Sequence, residues 1–244
     1  MTTPGTVIDN VEIRGRLIIQ AANVTVNNSL ITGPEDPASA GRGGIVQNTG
    51  GFANLVIKNS TVKESHQSVN NTEGVVGSNF TLENSTVEGS IDNVQIRGSN
   101  VTLRNNTLKN TVKYASDSAQ GGGPSHSDNV QVLRGDNILI EGNTITGSQN
   151  FAVLGSSEQG SMMNLRVLNN SVDGGSWTMK FSNKTLTGSI NPQSIVLAGN
   201  HFGGHSAEGV DLIVARGVNF SDQGGNVRDD TGKAVQISWV PSGG

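Results

Sequence analysis

Apolar and polar positions alternate along this chain in one short unit that occurs seven times. Two apolar residues stand two apart, Asn or Ser follows three residues later, and a further apolar residue comes two beyond that. The copies are Val24/Val26/Ser29/Ile31, Leu55/Ile57/Ser60/Val62, Phe80/Leu82/Ser85/Val87, Val101/Leu103/Asn106/Leu108, Ile138/Ile140/Asn143/Ile145, Leu165/Val167/Asn170/Val172 and Ile195/Leu197/Asn200/Phe202. Successive Asn or Ser positions are 31, 25, 21, 37, 27 and 30 residues apart, a minimal repeat near 21 with insertions of different length. Period-two alternation predicts strands. No stretch keeps the 3.6-residue apolar period of a helix, so helix content is expected to be very low.

Each unit is too small to bury its own apolar face, so stability must come from stacking one unit on the next, with like positions in columns about 4.8 Å apart. The pattern predicts an all-β fold, a single-stranded parallel β-helix of about eight coils over residues 7–215. Asn or Ser at one corner of every coil takes the turn conformation and passes side-chain hydrogen bonds to the next coil. A second strand precedes each repeat at residues 44–47, 92–96, 128–132, 151–154, 177–181 and 210–212, and these are expected to stack as another sheet. The stretch after residue 218 breaks the spacing and is expected to fold over the last coil as a cap, with Trp239 as its apolar plug.

Composition agrees with this frame and narrows the function. The chain has 28 Asn, which the corner ladder accounts for, and only 15% charged residues against a norm of about 25%. No cysteine is present, which excludes disulfides, thiolate metal sites and a Cys nucleophile. A net charge of -4 argues against a nucleic-acid partner, and no run of about 18 apolar residues predicts a membrane span. Residues 1–5 lack the charged and apolar regions of a secretory leader, so the chain is expected either to be cytosolic or to begin after a removed leader.

Three phrases carry a resemblance: residues 23–29 (NVTVNNS), 126–131 (HSDNVQ) and 136–143 (DNILIEGN). Over roughly residues 7–215 the chain resembles secreted bacterial right-handed parallel β-helix proteins of the pectate-lyase-like superfamily. The resemblance implies a right-handed helix, secretion and a polysaccharide partner. That superfamily includes lyases, hydrolases, epimerases and non-catalytic adhesins, so the fold alone does not name an activity. This chain departs from the superfamily it resembles in having Asp-Asn at 92–93 and 128–129, where members tend to have Asp-Gly before the apolar-Gln pair.

Strand alternation places the candidate chemistry on the second sheet. With Val94/Ile96, Val130/Val132 and Trp177/Met179/Phe181 inward, Asn93, Gln95, Arg97, Asn129, Gln131 and Lys180 are expected to point outward. Counting ten residues past each corner residue aligns Asn70, Gln95, Val153 and Lys180, and Gln131 joins them once the longest insertion, 109–127, is removed. Such a column would grip an acidic polysaccharide lying across the coils. Cleavage of a uronic-acid polymer by β-elimination needs a base for the proton α to the carboxylate and a group that neutralises the charge developing on it. Gln131, Gln95 and Asn129 are the expected neutralisers, and Lys180, His126 or Tyr114 the expected base or leaving-group acid.

Asn70, Asn93, Arg97, Lys113, Asp128 and Arg134 complete the expected substrate contacts. Asp128, two residues after His126, would orient its imidazole. Each assignment has a structural alternative: the glutamines as solvated sheet residues, Lys180 as a surface charge, Tyr114 as a loop pin, and Asp92 and Asp128 as caps for backbone N–H groups. Hydrolysis ranks below elimination on this reading, because Asp92 and Asp128 share the parity of the inward valines. A non-catalytic binding module is the other alternative. No compact run of outward carboxylates marks a calcium site, so no cofactor is expected, and the protein is expected to be a monomer.

Overall fold

A computed structural model describes residues 1–183 and 188–242. The chain winds as a parallel β-helix, each coil contributing one strand to each of three sheets, here called A, B and C in the order the chain meets them. Sheet A carries the paired apolar positions, sheet B the single apolar residue after the corner, and sheet C the second strand foreseen from the sequence. Among the described residues nine strands stack in sheet B. Sheets A and C also carry nine each among those residues, and the strand Val130–Glu141 runs from C into A without a break. Among the described residues the helical segments are Pro37–Ala40 and Ser118–Gln120, both in loops.

Register shows why the repeat is needed. Val26, Ile57, Leu82, Leu103, Ile140, Val167 and Leu197 are paired in one unbroken column of sheet A, and all are fully buried. Ile31, Val62, Val87, Leu108, Ile145, Val172 and Phe202 form the matching column of sheet B. Burying each such side chain contributes about 1.5–3 kcal/mol. A coil alone could not realise this, since every column residue is covered by the coils on either side.

At the corner between sheets A and B the ladder runs Ser29, Ser60, Ser85, Asn106, Asn143, Asn170, Asn200, Asn226. Each backbone N–H donates to the side-chain oxygen of the next member, at 2.9–3.1 Å. From Asn106 onward the amide groups also donate along the ladder, at 2.9 Å. Asn or Gly precedes every ladder residue with a positive φ, from 47° at Asn28 to 72° at Gly225, the left-handed turn those two residues tolerate best. A second, exposed column of left-handed asparagines lies at the entry to sheet A. There Asn54, Asn100 and Asn137 donate to Asn23, Asn79 and Asn100. It accounts for much of the remaining asparagine.

Residues 219–240, where a cap is expected, continue the stack instead. Asn219–Asp222, Val227–Arg228 and Ile237–Val240 pair in parallel with the preceding coil in sheets A, B and C. The apolar pattern is hidden there because Asp222 occupies the position paired with Leu197. Trp239 lies edge-on to Phe220 at 6.2 Å and remains 45% exposed, so it closes the end of the core only in part.

Candidate functional site

A groove of about 610 Å³ opens on the outer face of sheet C. Its floor comes from the strands Val46–Asn48, Glu73–Gly77, Asp92–Arg97 and the start of Val130–Glu141. The loop at Arg42 and the long insertion, through Asp117, Gln120 and His126, form one side, and Glu158 and Gln159 the other. The insertion is braced where it leaves the coil, since Tyr114 and Ser125 exchange hydrogen bonds at 2.9 and 3.0 Å. Its tip is latched by Arg42 to Asp117 at 2.9 Å, and Asp117 also caps the short helix at Ser118–Gln120. The groove thus crosses several rungs, the path a polymer along the helix axis would take.

Outward positions on sheet C stack as Gln47, Val76, Gln95, Gln131, Leu154 and Lys180. Gln95 and Gln131 are neighbours as the sequence suggests: the Gln95 Nε2 donates to Gln131 Oε1 at 2.6 Å, and both side chains line the groove. Arg97 lines it too, donating to Gln95 Oε1 and pairing with Glu73 at 2.8 Å. Val76 stands where Asn70 was expected, because the loop before that strand is longer than a ten-residue count allows. Asn70 lies in that loop, its carbonyl taken by Gly43 N–H. Leu154, not Val153, occupies the column between Gln131 and Lys180.

Several expected contacts lie elsewhere. Lys180 is two rungs beyond Gln131, about 9.6 Å at normal strand spacing, with Leu154 between them, and does not line the groove. Burial lowers its pKa. Tyr114 does not line the groove either. Its hydroxyl is buried, and burial followed by the Glu64 charge pushes its pKa up to about 12. Lys113 and Arg134 are exposed beside the groove rather than in it, Arg134 donating to Arg97 O at 2.8 Å.

Asn93 and Asn129 turn inward, against the expected alternation. Both are fully buried at the corner between sheets B and C, where Asn93 donates to Asn129 Oδ1 at 2.6 Å and to Lys109 O at 2.9 Å, and Asn129 to Thr146 O at 2.9 Å. They satisfy backbone carbonyls that would otherwise be orphaned inside the coil. With Asn93 turned in, the residue before it, Asp92, lies on the groove side. Glu73 and Asp92 are paired across adjacent strands and both line the groove, and Asp128 follows Asp92 on the next rung, just behind the lining.

Asp92 Oδ1 accepts from the Asp128 N–H at 2.9 Å and Oδ2 from Gln95 Nε2 at 3.1 Å. Asp128 Oδ1 accepts from Phe151 N–H and Asn150 Nδ2, both at 2.9 Å. His126 therefore receives no orienting bond from Asp128, contrary to expectation, and projects from the insertion into the groove as an exposed side chain. Burial, then the neighbouring Asp128 and Glu73 charges, raise the Asp92 pKa well above the usual carboxylate range. Burial also pushes Asp128 up to about 7, against the opposing Phe151 and Asn150 hydrogen bonds. Burial thus favours the protonated form of Asp92, and Glu73, held by Arg97 and Thr72, is the ion-paired carboxylate beside it.

The carboxylates were legible as Glu73-Gly74-Val75, Asp92-Asn93-Val94 and Asp128-Asn129-Val130, an acid two residues before an inward valine in three consecutive coils. Gly74 fills the asparagine position where there is no room for more, a Cβ there lying 2.6 Å from Asn93 O. No cluster of three or more His, Cys, Asp or Glu side chains among the described residues has the arrangement of a metal site.

Fold and groove together define a parallel β-helix with an acid-lined cleft on one sheet. Comparison of the chain with protein-family models, curated proteins and solved structures finds no match.

Proposed function

We propose that the protein is a glycoside hydrolase acting on a polysaccharide laid along the sheet C groove. The observation that carries this reading is the pairing of Glu73 and Asp92 on adjacent rungs of the groove floor, one ion-paired to Arg97 and the other buried, which raises its pKa. Glycosidic hydrolysis needs such a divided pair, a protonated carboxyl for the leaving oxygen and a carboxylate for the anomeric carbon or its attacking water. Asp92 is the general acid. Glu73 is the carboxylate partner, and one strand spacing of about 4.8 Å lies nearer the separation of retaining than of inverting enzymes, so it attacks the sugar directly. The amides of Gln47, Gln95, Gln131 and Gln159, which line the groove, suit the hydroxyls of a sugar chain. The resemblance to secreted pectate-lyase-like proteins supports the same partner class and an extracellular site of action.

A second reading, β-elimination from an acidic polysaccharide, is favoured by His126, Gln95, Gln131 and Arg97 around the same groove. There His126 is the base and the amides face the uronate carboxylate. Elimination ranks second because Lys180 and Tyr114, its other expected proton carriers, stand outside the groove.

The test is incubation with a panel of neutral and uronic-acid polysaccharides, reading new reducing ends and ultraviolet absorbance together, for the native protein and Asp92→Asn. Reducing ends that form without absorbance and vanish in Asp92→Asn support hydrolysis. Absorbance from a conjugated sugar supports elimination. Saturable binding with neither signal leaves a carbohydrate-binding module.

A further inference from the structure

Asp128 does not line the groove, yet it is fully buried on the rung after Asp92, and its Oδ2 has no hydrogen-bond partner among the described residues. Leaving a carboxylate oxygen dry and unpaired is costly unless a proton is shared nearby. The neighbour able to share one is Asp92, whose Oδ1 is tied to the Asp128 backbone N–H at 2.9 Å and which is only 6% exposed. Two buried carboxyl groups on successive rungs of a dry corner oppose each other's ionisation and titrate as a coupled pair.

We propose that Asp128 is a positioning residue that acts through Asp92: its buried carboxyl shares one proton with Asp92 and so keeps the groove-lining group in its acid form. The other charged and titratable groups around the pair are Glu73 on the preceding rung with its partner Arg97, Glu158 from the loop after the next sheet C strand, and His126 from the insertion. Glu73 and Glu158 add negative charge and reinforce proton retention. Arg97 offsets Glu73 without reaching either aspartate by a hydrogen bond. The role assigned to Asp92 rests on the hydrolase reading, whereas the shared proton does not, and the two are separable by experiment.

The experiment is a carbon-13 NMR titration of the side-chain carboxyls in the native protein, Asp128→Asn and Asp92→Asn, with amide spectra to verify the fold. The proposal predicts two coupled steps for the native pair, the upper one far above ordinary aspartate. It also predicts a fall of the Asp92 midpoint by at least tenfold in proton affinity in Asp128→Asn. Should Asp128→Asn perturb the fold, Asp92→Asn gives the reciprocal reading, a single Asp128 step at lower pH than in the native pair. Independent titration of both groups in the ordinary carboxylate range, or an Asp92 midpoint unmoved by Asp128→Asn, overturns it. If the coupled steps appear in a protein that cleaves no glycan, the pair stands and the hydrolase reading falls. If the enzyme needs Asp92 and the alkaline limb of its rate profile is the same in Asp128→Asn, the hydrolase stands and the pair falls.

Discussion

Replacing Asn143 by alanine removes four ladder bonds from the middle of the stack. Asn143 Oδ1 accepts from the Asn106 backbone N–H and side-chain amide, both at 2.9 Å, while its Nδ2 donates to Asn170 Oδ1 at 2.9 Å and Leu103 O at 3.0 Å. The corner is dry, with Asn106, Asn143 and Asn170 all at most 2% exposed, so water cannot take over these roles. Two orphaned donors on Asn106, at about 1–3 kcal/mol each, put the cost at about 2–6 kcal/mol. That is a large share of a total stability of about 5–15 kcal/mol, and for a chain of this length each kcal/mol lowers Tm by about 2–4 °C. Equilibrium urea unfolding followed by circular dichroism measures it. Asn143→Ser should recover part of the loss, because serine serves the same ladder at positions 29, 60 and 85. Asn100→Gly, which deletes a side chain from the exposed asparagine column and keeps the left-handed turn, is the control and should cost less than about 1 kcal/mol. An Asn143→Ala protein no less stable than Asn100→Gly would refute the claim that the buried ladder holds the coils together.

Asp92→Asn should lower turnover by about 10²–10⁴-fold with an unchanged circular dichroism spectrum, whereas Lys180→Ala and Tyr114→Phe should leave turnover intact in the same assay. Proton NMR of the first product should show a retained anomer, and inversion would remove Glu73 from the nucleophile's role. Burial raises the Glu64 pKa from 4.5 to about 8, so the stability tied to its neutral form is complete below 4.5 and is lost as pH rises through about 8. Glu64→Gln should therefore gain Tm relative to the native protein as pH is raised from about 4 to about 9, and a difference constant with pH would contradict this. Deleting residues 226–244 exposes the sheet C edge at Leu212–Ala215 and should produce oligomers on size exclusion.

The ladder and the inward columns were legible because each coil repeats them in fixed phase, and local alternation suffices to find them. What alternation could not reveal was the side-chain direction at a corner. Asn93 and Asn129 obey the demand of buried carbonyls rather than strand parity, and that single rotation moves Asp92 from the interior to the groove. Loop length was the second obstacle. A ten-residue count selects Asn70 and Val153, but the turn into sheet C differs in length from coil to coil, and the hydrogen-bonded register selects Val76 and Leu154 instead. The last coil is hidden from the apolar pattern for a chemical reason, since Asp222 stands at a position that is apolar in the coils before it and instead accepts from Asn226 Nδ2 at 2.7 Å.

The most direct test of the groove as a site of hydrolysis is the mass of its first products, taken by mass spectrometry after digestion of the polysaccharide panel in oxygen-18 water. Hydrolysis by Asp92 and Glu73 predicts fragments that have gained one water, with the heavy oxygen at the new reducing end. Fragments lighter by one water and free of label would show elimination instead, and an uncut polymer across the panel would contradict the enzymatic account altogether.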